Sequence, residues 1–331
     1  MIPLNYKKIV SVVLTVSLFS LFFYYIDFKQ LLIMFSKLSW TTIIIAAGMY
    51  FLSNYFRAER FRVLSDKHIS LVKMLHIVFL YGFYNKMLPL RTGELSYVFL
   101  MKNSNKSSYM ESLSALLITR IYDIISAFLL LSIALLFAHD ALVIFNPALI
   151  FSFLLGAVVI LFNLPGVIKI IKAVFNKTLT SGRFAVNPDK RKLYNDRMAY
   201  LYEWFTKTNK LVTSLKLTGL SVLIWLSLYG TFYVLINQLG SHLPYSIVII
   251  GSVFANFSNL LPVSGIGGFG TMEAGWAIGF TILGVKRNDA IASGIVVNLF
   301  IFFCTVGFAL VSFIAFAYTK RHLYNFKKGD D

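Results

Sequence analysis

The sequence predicts an all-α polytopic integral membrane protein. Of its 331 residues, 58% are hydrophobic and only 14% are charged, whereas a soluble domain carries about 25% charged residues. Several uninterrupted apolar runs reach the ~20 residues with which a helix spans a bilayer. Two further apolar segments contain proline and glycine, which favour broken helices over plain spans.

Six runs are long and apolar enough to be full spans within a single transmembrane domain, 1–331. The first follows two lysines and resembles a signal peptide, but it is longer and no A-x-A site follows it, so we expect an uncleaved span. The predicted spans cover residues 8–26, 40–56, 110–138, 141–164, 211–239 and 288–318.

The two interrupted segments, 71–101 and 246–284, predict broken-helix hairpins. Pro89 interrupts the first, and Pro262 interrupts the second ahead of a cluster of glycines. Non-helical backbone at membrane depth is tolerated only where protein buries it or where it lines a cavity. We therefore expect each hairpin to have a non-helical tip that helps to form a site.

The two predicted tips resemble each other. Residues 83–94 read FYNKMLPLRTGE and residues 257–273 read FSNLLPVSGIGGFGTME, so each runs from an aromatic residue through Asn and Leu-Pro to a glutamate. Inverted repeats whose broken helices meet at the midplane recur in transporters. The match is short, and the sequence leaves open whether the two halves form an inverted repeat.

Lysine and arginine are concentrated in particular segments, and the net charge is +17. Because cytoplasmic loops of membrane proteins carry an excess of Lys and Arg, both termini and the segments 57–73, 102–108 and 165–210 are expected to be cytoplasmic. Residues 165–210 predict amphipathic helices on the membrane surface. The same rule explains the charge without a nucleic-acid partner.

Two acids, Glu94 and Glu273, follow the breaks and are candidate functional groups. An acid inside an apolar segment is a functional-site hypothesis by default. A buried, unpaired carboxylate takes up a proton, so each could carry a proton or bind a cationic head group. The alternative is that each caps the N-terminus of a half-helix, where the helix dipole favours negative charge.

Three further charged residues are candidates for the same site. Arg91 lies two residues after Pro89 and could bind a lipid phosphate or extend to the membrane surface. Arg120 and Asp123 share one face of a helix, so they could pair with each other or with Glu94, or form the wall of a site.

The remaining candidates belong to the backbone of the tips, where asparagine amides are expected to satisfy loose backbone groups. Gly265–Gly270 matches G-x-G-x-x-G without the strand that a dinucleotide site needs, so no cofactor is predicted. Scattered histidines and a single cysteine give no metal site and no disulfide. The candidate lipid-binding or gating residues are Arg91, Gly93, Glu94, Arg120, Asp123, Asn259, Pro262, Gly267, Gly268 and Glu273.

Three blocks, NKMLPLRTGEL, RIYD and NLLPVSGIGGFGTMEAG, resemble the transmembrane region of lysylphosphatidylglycerol synthases, the flippase-like domain family. The resemblance covers about residues 8–319. It implies movement of a lipid across the bilayer, and it links relatives to glycosyltransferases that act on lipid carriers. No soluble transferase domain follows the last span, so aminoacyl transfer is not expected here.

Two positions depart from the family pattern. Tyr97 stands in the region where relatives often have an arginine after the first Gly-Glu, and Thr119 stands where they tend to have a glutamate. The resemblance therefore does not predict that Tyr97 or Thr119 contacts a lipid head group.

The preferred hypothesis is a transporter, rather than an enzyme, in the cell membrane of a bacterium or archaeon. It would move a phospholipid or a lipid-linked glycan intermediate with a phosphate head group, and without a nucleotide-binding motif it would be energy-independent or ion-coupled. One alternative is a non-catalytic partner that docks a separately encoded glycosyltransferase on residues 165–210. Another is an intramembrane lipid-modifying enzyme with Glu94 and Glu273 as acid and base.

Overall fold

The computed structural model describes residues 36–65, 68–88, 93–105, 107–138, 210–258 and 269–328, with isolated positions at 33 and between 148 and 203. All the elements in these ranges are helices. They are α1 (Trp40–Val63), α2 (Leu71–Met87), α3 (Glu94–Asn105), α4 (Tyr109–Phe137), α5 (Lys210–Gln238), α6 (Tyr245–Ser258), α7 (Thr271–Ile282) and α8 (Arg287–Lys328). The predicted span at 8–26, and nearly all of 141–164 and of the loop 165–210, lie outside the described residues.

Three of these helices are long and apolar enough to cross a membrane. They are Tyr109–Phe137, Leu211–Gln238 and Arg287–Phe316, whose most apolar stretches have mean hydropathies of 2.0, 1.8 and 2.6. The all-α architecture predicted from the sequence is thus confirmed. The figure of about six spans is not, because three helices in the described part of the chain meet the criterion.

Serine hydroxyls define where three helices begin. Ser39, Ser70 and Ser108 each precede a helix and accept the backbone N–H of the residue three positions later. This contact satisfies one of the N–H groups that have no partner in the first turn of a helix.

Helices α1 and α5 pack against each other in antiparallel orientation. Near one end, Thr231 Oγ1 donates to the backbone oxygen of Ala46 at 3.3 Å, and further along Arg60 Nη1 donates to Ser221 Oγ at 2.7 Å. The last turn of α1 therefore lies level with the interior of α5, which is 29 residues long. A residue near the end of α1 is for this reason deep in the bundle.

The extent of α1 corrects one sequence-based prediction. Residues 57–73 were expected to form a basic cytoplasmic loop, but residues 57–63 continue α1 and residues 71–73 belong to α2. The reason is helical periodicity: Ala58 and Phe61 are buried on the inner face of the helix, 0% and 2% exposed. The arginines of this stretch are helical residues.

Helices α2 and α7 reach the same level of α8 from opposite ends. Helix α2 comes from the end of α8 near Ser312, whose hydroxyl lies 3.0 Å from His76 Nδ1. Helix α7 comes from the other end, where Trp276 donates to Ser293 at 3.2 Å. Both contact Asn298, which lies eleven residues after Arg287 and so about 16 Å along α8.

The two larger of the three apolar cores in the described helices lie on either side of this level. One core is built on α5, α6, α7 and α8 and includes Phe232, Trp276 and Phe280. The other is built on α2, α3 and the facing ends of α1 and α4, and includes Tyr97 and Tyr122. Helices α1 and α4 contribute to both cores, and four of their charged residues, Arg57, Arg60, Arg120 and Asp123, lie between the two.

Close helix packing holds the second hairpin together. The sequence pattern of Gly275 and Gly279 predicts a close approach, and Gly279 does lie against the backbone oxygen of Gly251 and the ring of Phe254. A methyl group at Gly279 would overlap both neighbours. Helices α6 and α7 therefore pack as a tight antiparallel pair.

Candidate functional site

A cavity of about 280 Å³ lies between the two apolar cores, and all eight described helices contribute to its wall. Typical pockets for drug-sized ligands occupy about 300–1,000 Å³, so this one has room for a compact polar group. Its charged lining side chains are Arg57, Arg60, Lys86, Glu94, Arg120 and Asp123. Asp123 and Trp225 stand near the middle of 29-residue helices, which puts the cavity at the mid-length of both helices.

A buried ion pair between α1 and α4 forms one wall. Arg60 Nη1 lies 2.6 Å from Asp123 Oδ1, and the two side chains are 3% and 18% exposed. Arg60 also donates to Ser221, and the Trp225 indole N–H donates to Asp123 at 3.1 Å. These hydrogen bonds compensate for the loss of hydration that makes isolated buried charges costly.

A second ion pair joins the first turn of α3 to α4. Arg120 Nη2 lies 2.5 Å from Glu94 Oε1, and the side chains are 38% and 27% exposed. The sequence left open whether Arg120 pairs with Asp123 or with Glu94. In the structure Arg120 pairs with Glu94, and Asp123 pairs with Arg60 instead.

Glu273 caps its own helix. One carboxylate oxygen accepts the backbone N–H of Gly270 at 2.8 Å, and the other accepts the side-chain amide of Asn298 at 2.7 Å. Gly270 has φ 91°, in the left-handed region that only glycine adopts without strain. The capping role, which was the alternative interpretation of Glu273, is therefore present, and Glu273 is 7% exposed.

Asn298 connects α2 and α7. Its Oδ1 accepts a hydrogen bond from Lys86 Nζ at 2.8 Å, while its Nδ2 donates to Glu273. Lys86 belongs to the last turn of α2 and Glu273 to the first turn of α7. Glu94 lines the cavity directly, whereas Glu273 reaches it through Asn298.

Gly93 allows the first hairpin to fold back tightly. A Cβ atom at this position would overlap the backbone of Tyr84 and Asn85 in the last turn of α2. The absence of a side chain thus lets the start of α3, and with it Glu94, lie directly against α2. The candidate residues Arg91, Asn259, Pro262, Gly267 and Gly268 lie outside the described residues.

The two positions that depart from the family pattern have local structural roles. Tyr97 is 1% exposed and stacks on Phe61 with ring centroids 4.3 Å apart. Thr119 donates to the backbone oxygen of Leu116 at 2.8 Å. Neither side chain adds a charge to the cavity.

Asn256 differs from what the sequence suggested for amides near the breaks. It was expected to satisfy loose backbone, but its Nδ2 donates to the hydroxyl of Tyr229 at 2.7 Å. Asn256 also lines the cavity. It therefore extends the polar wall onto α6.

Sequence reasoning missed four cavity residues: Arg57, Arg60, Lys86 and Asn298. The two arginines were counted as loop charges, although their spacing of three and the apolar residues around them fit one face of a helix. Lys86 lies within FYNKMLPLRTGE, but it was not among the candidate site residues of that segment, Arg91, Gly93 and Glu94. Asn298 gave no signal, because a single amide in an apolar run is common in helix packing.

Apolar helices of membrane length around an internal charged cavity define an integral membrane protein. The sequence profile of the lysylphosphatidylglycerol synthase transmembrane region matches residues 8–309. The chain therefore belongs to this family, which gives it a membrane location and a lipid-related role. No curated protein and no solved structure matches the chain.

Proposed function

We propose that the protein transports a membrane lipid with a phosphate-containing head group, a phospholipid or a lipid-linked glycan intermediate, across the bilayer. The observation that carries this proposal is the charged cavity at the mid-length of α4 and α5. Charged side chains are costly inside a membrane, and they persist there mainly on substrate and ion pathways. A head group would occupy the cavity while the acyl chains stay in the surrounding lipid.

The convergence of α2 and α7 on Asn298 supports an alternating mechanism. We infer that the two broken-helix hairpins enter from opposite leaflets, as half-helices do in transporters with inverted repeats. In this proposal six further segments span the bilayer, and both termini are cytoplasmic in a bacterial or archaeal cell membrane. Transport is energy-independent or coupled to an ion.

The alternatives have less support from the geometry. An acid–base enzyme needs two available carboxylates, but Glu94 is engaged by Arg120, and Glu273 by Gly270 and Asn298. A docking role for a separately encoded glycosyltransferase rests on residues 165–210, which lie almost entirely outside the described ranges. Of the three proposals, transport is therefore the one that gives the cavity a role, which is to hold the lipid head group.

The test is lipid movement in reconstituted vesicles. Purified protein is placed in liposomes that contain a trace of fluorescent phosphatidylglycerol or phosphatidylcholine, and dithionite measures how fast inner-leaflet lipid becomes accessible. We expect protein-dependent movement whose rate depends on the head group. Glu94→Gln should slow it about tenfold, the effect of about 1.4 kcal/mol on a barrier.

Two comparisons make this test specific. Glu59→Gln removes an acid from α1 that pairs with Arg62 away from the cavity, and it should leave the rate unchanged. Glu273→Gln should slow transport, because Glu273 holds α7 to Asn298. Movement no faster than in empty liposomes would contradict the proposal, and so would full activity in both Glu94→Gln and Glu273→Gln.

A further inference from the structure

The described part of the chain contributes four cationic side chains to the cavity wall, and three of them have an acidic counterpart. Arg60 pairs with Asp123, and Arg120 pairs with Glu94. The third cation, Lys86, is linked to Glu273 through the amide of Asn298. Positive and negative charges thus balance at three places around the wall.

Arg57 is the fourth cation. Its guanidinium has no ion pair and no hydrogen bond among the residues that the structure describes, although it lines the cavity. It lies one turn before Arg60 on the same face of α1. In the antiparallel register of α1 and α5, that turn faces the middle of α5, near Trp225.

A cation at this depth without a counterion is costly unless a ligand supplies the missing charge. Tyr81 and Asn85 line the same cavity, and they can hydrogen-bond to a ligand but carry no charge at neutral pH. A guanidinium binds two phosphate oxygens at once. Among the lining residues that the structure describes, the unbalanced charge is therefore one positive charge, presented by Arg57.

We propose that Arg57 is the binding residue for the phosphate of a lipid head group that carries a net negative charge, and that the cavity selects such lipids over zwitterionic ones. This inference rests on the proposed lipid transport and names its substrate class. A zwitterionic head group brings its own cation and would leave the charge of Arg57 uncompensated. A phosphodiester with an uncharged polar substituent compensates it.

Binding is measured on the full-length protein in a non-ionic detergent. Dihexanoyl phosphatidylglycerol and dihexanoyl phosphatidylcholine are titrated while tryptophan fluorescence is followed, because Trp225 lies in the cavity wall. We expect the wild type to bind phosphatidylglycerol about tenfold more tightly, as one added charge-assisted contact predicts. Equal affinities would overturn the proposal.

The matched variants are Arg57→Gln, Arg57→Lys and Arg287→Gln. Arg57→Gln should bring the two affinities together, whereas Arg57→Lys should keep most of the preference because the charge remains. Arg287 is an exposed residue at the start of α8, away from the cavity, so Arg287→Gln removes the same charge and should keep the full preference. A preference that persists in Arg57→Gln would overturn the assignment.

The wild type alone provides a test if Arg57→Gln does not fold. Inorganic phosphate, added at constant ionic strength, competes for a guanidinium site, so it should weaken binding of phosphatidylglycerol more than binding of phosphatidylcholine. An affinity for phosphatidylglycerol that does not respond to phosphate would contradict a phosphate site on Arg57.

Two further results separate this inference from the transport proposal. A wild type that prefers phosphatidylglycerol but moves no lipid in vesicles would support the Arg57 site and contradict transport. Glycerol 3-phosphate that binds as tightly as the short-chain lipid would overturn the assignment of a lipid head group, because a soluble phosphate ester would then suffice.

Discussion

At the scale of single residues, the cavity is organised by pairing. Each ion pair joins two helices: Arg60 and Asp123 hold α1 to α4, and Arg120 and Glu94 hold α4 to α3. The energetic cost of losing one partner depends on how deeply the ion pair is buried. The first pair is almost closed off from solvent, so the loss of one partner leaves an uncompensated charge in a medium of low dielectric constant.

The Arg60–Asp123 pair should be needed for stability. Asp123→Asn removes the negative charge and leaves Arg60 buried without it, which we expect to lower the free energy of unfolding by about 3 kcal/mol. Thermal unfolding in detergent measures the change. Glu59→Gln, which breaks the more exposed pair with Arg62, should cost less than about 1 kcal/mol, and equal losses in the two variants would contradict this account.

At the scale of elements, α3 and α7 are brought into place by different means. The first depends on contact between backbones, because Gly93 lies against the last turn of α2. The second depends on a cap, because Glu273 closes the N-terminus of α7 and Gly270 supplies the left-handed backbone before it. In both cases a glycine lies close to the acid in sequence: Gly93 directly precedes Glu94, and Gly270 lies three residues before Glu273.

Gly93 should not tolerate a methyl group. Gly93→Ala forces α3 away from α2, which we expect to cost about 1–3 kcal/mol of stability, as overpacking does elsewhere, and to displace Glu94 from Arg120. Gly48→Ala is the matched control, since a Cβ atom at Gly48 on α1 meets nothing within 4 Å. Unfolding in detergent compares the two, and a loss of stability as large in Gly48→Ala would refute the contact argument.

At the scale of the whole molecule, the sequence was informative about the breaks and less so about the boundaries. The interruptions between α2 and α3 and between α6 and α7 follow from proline and glycine in apolar runs. The end of α1 did not follow, because counting basic residues assigns Arg57 and Arg60 to a loop. Charge counting does not detect a helix that buries its arginines against another helix.

The candidate site could be predicted only in part for a related reason. Glu94, Arg120 and Asp123 stood out as charges in apolar surroundings, and the structure brings all three to one cavity. Their partners depend on helix packing, which one sequence does not specify. Asn298 is the clearest example, since its role depends on two residues more than 20 positions away.

The orientation of the bundle is a prediction at this scale. Because loops rich in Lys and Arg remain cytoplasmic, the loop 64–70 should face the cytoplasm and the loop 239–244 the opposite side. The single cysteine, Cys304, is replaced by serine, and His68→Cys or Pro244→Cys is added at an exposed position. A maleimide that does not cross membranes should label only Pro244→Cys in intact cells, and labelling of His68→Cys alone would reverse the topology.

The amide of Asn298 has a consequence for motion. A direct contact between Lys86 and Glu273 would have to break as a whole if α2 and α7 moved apart, which would strand two opposite charges in hydrocarbon. Because the neutral amide of Asn298 on α8 lies between them, α2 and α7 each have a separate hydrogen bond that can break independently. In the proposed transport mechanism, either helix can therefore separate from α8 while the other keeps its hydrogen bond to Asn298, so that the two sides of the cavity open in turn.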